Sequence, residues 1–98
     1  MNQYFEQMGR EWAAAARRRG ATIEAPALDS RVALELLELA RVAAHTQERR
    51  FAPLASYLAG VAAERLRTAT PGVDEEAVAG FIQEVRQALE AEAPATER

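Results

Sequence analysis

Apolar residues recur along this chain at spacings of three and four in four separate stretches. Nowhere do they alternate with polar residues over the length of a strand, so the pattern predicts an all-α protein. The first stretch runs from about Asn2 to Arg19, where Tyr4, Phe5, Met8, Trp12, Ala15 and Ala16 make one apolar face. Arg17, Arg18 and Arg19 crowd its last turn, where positive charge suits the helix dipole; an anion patch is their other reading. Gly20 follows as a C-terminal cap. Residues 20–29 form a connector, with Ile23 and Leu28 placed to pin it to the core.

The second helix is predicted from about Ser30 to Thr46, with Asp29 or Ser30 as its N-cap. Val32, Ala33, Leu36, Leu37, Leu39, Ala40, Ala43 and Ala44 cover a wide arc, which places this helix at the centre, touched on more than one side. Arg31, Glu35, Glu38, Arg41 and His45 fall on one stripe at about 100° per residue, and that stripe is the expected wet face. The third helix runs from about Ala52 to Thr68. Pro53 sits in its first turn, and Leu54, Tyr57, Leu58, Val61, Ala62 and Leu66 form the expected buried face. Gly60 in mid-helix costs about 1 kcal/mol against alanine, and its small size would let a neighbouring helix come close. After a turn at TATPGVD, Asp74 caps a fourth helix whose Val78, Phe81, Ile82, Val85 and Leu89 keep helical spacing. The short loops favour an up-down four-helix bundle, a single domain over residues 1–92 followed by a frayed tail at 93–98.

A chain of 98 residues suits one small domain, with about half its residues apolar. Its twelve basic residues are all arginine, against fifteen acidic ones, for a net charge of −3. That balance argues against a nucleic-acid binder, which needs a cationic footprint, and the missing lysine removes Schiff-base catalysis. Without cysteine there are no disulfides, thiolate nucleophiles or thiolate-held metals. No apolar run approaches the ~18 residues of a membrane span and no leader pattern opens the chain, so a soluble cytoplasmic protein is expected.

Candidate chemistry gathers in one stretch, RVAAHTQERRFAPL, from Arg41 to Leu54. Arg41 and His45, the lone histidine, project the same way one turn apart, and Arg49 and Arg50 follow in the loop. The third helix starts at once, and its free N–H groups point back toward that loop. Arginines converging on a helix N-terminus form an anion-binding arrangement, so Arg41, His45, Arg49, Arg50 and Ser56 are the candidate site for an anion, a nucleotide tail or a partner's carboxylate. The competing reading is plain capping of the second helix by Arg41 and His45. A triad through Ser56 and His45 would need an oxyanion hole and a rigid pocket. A metal held by Glu38, His45 and Glu48 would face repulsion from two nearby arginines. No catalytic residue, metal or cofactor is therefore assigned.

The same region, LLELARVAAHTQERRFAPLASYLAGVAAER, resembles a small helical domain of unknown function widespread in actinobacteria. The resemblance is carried by Leu36, Leu37, Leu39, Ala40, Arg41, Ala44, His45, Arg49, Ala52, Pro53, Leu54, Tyr57, Leu58 and Gly60. Val42 stands where that family usually has an acidic residue, and Arg50 where it often has proline. The domain occurs alone and also attached to, or encoded beside, the molybdenum-cofactor guanylyltransferase. What the resemblance implies is an accessory role near molybdenum-cofactor maturation. The expected function is thus a non-enzymatic accessory or interaction domain with a protein partner; a small-anion or nucleotide binder is the alternative. A homodimer is a further expectation, because Tyr4, Phe5, Met8 and Trp12 exceed what a small monomer covers.

Overall fold

The computed structural model describes residues 2–92. Four helices carry the chain: α1 (Gln3–Arg18), α2 (Ser30–Thr46), α3 (Phe51–Ala69) and α4 (Glu75–Ala91). There is no strand among the described residues, so the all-α expectation of four helices holds. The tail expected at 93–98 lies outside the described residues. Two compact units are present, the first ending at Ser30 and the second beginning at Arg31.

The helix ends follow from local chemistry. The Asn2 side chain accepts from the Phe5 N–H at 3.2 Å, and Asp74 from the Ala77 N–H at 2.9 Å, each satisfying a donor that a helix start leaves free. At the other end of α1, Gly20 takes φ +84°, a left-handed conformation that suits glycine. Its N–H reaches Arg17 O and the next N–H reaches Ala16 O, closing the paired-carbonyl stop expected there.

In the first unit the connector returns along α1. Gly9 is buried, and a Cβ there would overlap the carbonyl oxygen of Pro26. Gly9 and Ala13, four residues apart, are the buried positions of α1. The connector's Ile23, expected to pin to the core, is exposed.

In the second unit α2, α3 and α4 share a core of Val32, Leu39, Ala63, Val78, Ala79 and Ile82. Leu36, Ala55, Ala59 and Val73 pack against it. This shifts the face expected of α3, where Val61, Ala62 and Leu66 are half-buried but the other three expected residues are not. Ala55, Ala59 and Ala63 form a ridge of small residues at four-residue spacing, and that ridge is what α3 turns inward. Leu54, Tyr57 and Leu58, expected inside, are 60%, 71% and 67% exposed. Short side chains let the helix backbones approach; the bulky residues beside them are carried outward. Gly60 meets nothing within 4 Å, so no helix lies against it.

The wet stripe expected on α2 holds at Arg31, Glu38, Arg41 and His45 and fails at Glu35, which is covered. His45 is exposed as expected, but Arg31, Glu35 and Arg41 all reach across to α4. The pairs are Arg31–Glu76 at 3.3 Å, Glu35–Arg86 at 3.2 Å and Arg41–Glu90 at 3.2 Å. Residue numbers rise together on both helices, so α2 and α4 run parallel. The five-residue link of 70–74 returns α4 against α3 as an antiparallel hairpin. The Glu35 and Arg86 side chains are only 13% and 14% exposed. Leu37, expected on the apolar arc of α2, is exposed instead, as is Leu34, which lay outside that arc. Val42, absent from that predicted arc, is its most deeply buried residue.

Candidate functional site

The five residues of the polar corner all lie between the last turns of α2 and the first of α3. Arg41 is engaged twice: its Nε reaches Glu38 at 3.3 Å and one terminal nitrogen reaches Glu90 at 3.2 Å. The hydrogen bonds it donates to these carboxylates, Glu38 foremost and then Glu90, raise its guanidinium above the ordinary arginine range. Arg50 donates to Glu48 at 2.8 Å. The Ser56 hydroxyl donates to the Ala52 carbonyl at 3.2 Å, one turn back along its own helix. His45 and Arg49 are exposed and make no polar side-chain contact within the described residues. Among the described residues no side-chain hydrogen bond or ion pair joins two of the five.

The start of α3 is tied up by its own backbone. The Phe51 N–H donates to Glu48 O at 3.0 Å and the Ala52 N–H to Arg49 O at 3.1 Å; Pro53 has no N–H. Arg50, in the N-cap place, makes no side-chain cap. Most donors that a helix N-terminus would offer an anion are therefore spent before a ligand arrives.

Several other charges of the second unit are committed in the same way. Arg86 bridges Glu35 and Glu90, so one chain of contacts runs Glu35–Arg86–Glu90–Arg41–Glu38. Among the buried side-chain nitrogens and oxygens of the described residues, the Arg86 Nε alone lacks a hydrogen-bond partner. Arg67 binds Glu75 at 2.6 Å and Glu64 at 2.9 Å, and Glu75 foremost holds its guanidinium above the usual value. Among the described residues no three His, Asp or Glu side chains gather as a metal site needs. No helix among the described residues is long and apolar enough to cross a membrane.

Two apolar surfaces are also left open. On α1, Tyr4 and Trp12 are 67% and 59% exposed. Met8 and Ala15 lie between and beyond them on the same face, and Arg18 borders it. On the second unit, Leu39, Leu58, Ala62, Phe81, Val85 and Leu89 line an open groove of about 230 Å³ with no charged residue in its walls. The sequence pattern marked all these residues as apolar faces. The signal it lacked was the depth of packing: a face and its burial are different properties.

The profile of one family, a domain of unknown function designated DUF6457, matches residues 6–97. No curated protein and no solved structure matches the chain.

Proposed function

We propose that this chain, which belongs to the DUF6457 family of domains of unknown function, is a non-enzymatic accessory domain that binds a protein partner through the outer face of α1. The observation that carries this is the exposure of Trp12 and Tyr4 along one helix, with Met8 between them and Arg18 at the border. Tryptophan, tyrosine, methionine and arginine are the residue types enriched at protein interfaces, and the first two and arginine dominate binding energy there. Two aromatic side chains held on a helix present large contact area at small entropic cost. The partner that the sequence resemblance nominates is the molybdenum-cofactor guanylyltransferase.

Because Trp12 stands out in solvent, Trp12→Arg should leave the helical content and melting temperature nearly unchanged. It should weaken binding to the purified guanylyltransferase by about tenfold or more, as loss of an aromatic anchor does. A host-lysate pulldown in which wild type and Trp12→Arg retain the same proteins removes the interaction reading. A Trp12-dependent partner other than the guanylyltransferase removes the molybdenum assignment alone.

A second reading, a small-anion or nucleotide site at the polar corner, is favoured by His45 and Arg49, which remain exposed and uncommitted. In it Arg41, Arg50 and Ser56 give up their present contacts to the ligand. Phosphate or GTP at millimolar concentration should then raise the melting temperature, and Arg49→Ala should abolish the rise, because binding to the native state alone stabilises it. A flat titration leaves the corner as helix capping.

A further inference from the structure

We propose that the second unit pairs with a second copy of the same chain, the α3–α4 face of one molecule lying on the α3–α4 face of the other. The groove between α3 and α4 is walled by apolar residues alone, and Leu58 on the α3 side and Val85 and Leu89 on the α4 side are exposed. Homodimer contacts are the class of protein surface most apolar in this way. Nineteen residues of α3 give a face about 28 Å long. Two helices packed ~9 Å apart make it about 20 Å wide, on the scale of the ~800 Å² per partner of an ordinary stable interface.

Charge selects the second copy over a foreign helix. Arg65 continues the stripe of Leu54, Leu58 and Val61 at spacings of four, three and four, and it has no ion-pair partner within the described residues. Glu92 continues the stripe of Phe81, Val85 and Ala88 in the same rhythm and is likewise unpaired. Arg31, Arg41, Arg50, Arg67 and Arg86, by contrast, are each held by a carboxylate. Arg65 lies near the 70–74 turn and Glu92 at the far end of the other helix, so the two occupy diagonal corners of one antiparallel face. A two-fold axis running across that face between them lays Arg65 of each molecule over Glu92 of the other. In a two-fold contact residue i meets j and j meets i, so both charges are answered twice with no other partner needed. A foreign helix would have to supply both signs at the same diagonal.

This contact is independent of the α1 face and of whatever that face binds. The full chain, run by analytical ultracentrifugation from micromolar to several hundred micromolar, should sediment as a monomer–dimer equilibrium. Leu58→Asp, a change at an exposed position, should abolish the dimer with helical circular dichroism unchanged. Arg65→Glu and Glu92→Arg should each raise the dimer dissociation constant about tenfold, two like-charge contacts replacing two attractive ones. The double exchange Arg65→Glu with Glu92→Arg should restore it. A wild-type chain monomeric throughout, a dimer indifferent to Leu58→Asp, or a double exchange no better than either single change would each overturn the proposal.

Discussion

The corner between α2 and α3 and the face shared by α3 and α4 are opposites. The corner is crowded with charge, yet Arg41 and Arg50 are held by carboxylates of their own chain and the helix start is occupied by Glu48 O and Arg49 O. The α3–α4 face carries no charge in its groove, yet its leucines stand in water. Two of the corner's three arginines are thus satisfied within the chain, while a run of aliphatic side chains is left without a partner. Unmet demand, more than chemical variety, marks a surface that something else must cover.

The sharpest way to break this contrast is to cut equivalent aliphatic groups from its two sides. Ile82 is buried at the centre of the three-helix core, and Ile82→Ala should cost about 2–5 kcal/mol in chemical denaturation. Leu58→Ala, at a position that follows the same helical rhythm, should cost less than about 0.5 kcal/mol at concentrations low enough to keep the chain monomeric. Comparable losses would mean that the groove is closed in solution.

The polar side is tested next. Arg86→Met leaves Glu35 largely covered and unpaired and should cost about 2–4 kcal/mol. Adding Glu35→Leu should recover most of that loss, since a matched apolar pair can replace a covered ion pair. If the single change is silent, the Glu35–Arg86 contact is solvent-screened like any surface pair. The guanidiniums themselves bring no pH dependence near neutrality. Arg41 and Arg67 are raised in the folded chain, so their contribution is complete below the unfolded arginine value and is lost only as pH climbs through the folded one, far into the alkaline range.

Much of the fold was legible before any coordinates. The four helices, the Asn2-to-Arg19 and Ser30-to-Thr46 bounds, the Asp74 cap and the Gly20 stop all follow from spacing and from which residues satisfy free backbone groups. The failures share a cause. Periodicity weights large apolar residues, so Leu54, Tyr57 and Leu58 looked like core while the alanine ridge of Ala55, Ala59 and Ala63 did not. Periodicity is likewise silent on Gly9, which is the notch over which Pro26 passes. Of the candidate site, the exposure of His45 and the nearness of Arg41 to helix ends were readable. That Arg41 is taken by Glu90 was not, because the two lie 49 residues apart in the chain. One clue was available: the order plus, minus, plus of Arg31, Glu35 and Arg41 is answered by minus, plus, minus at Glu76, Arg86 and Glu90.

That mirrored order also works as a vernier during assembly. The aliphatic stripe of α4 would tolerate docking one turn out of place, since Val78, Ile82 and Val85 offer similar shapes at each step. A slip of one turn, about 5.4 Å, would carry Glu90 to where Arg86 belongs, beside Glu35. Two carboxylates would then be squeezed together in a place with little water. The alternating signs therefore reject the misaligned core that oily contacts alone would accept.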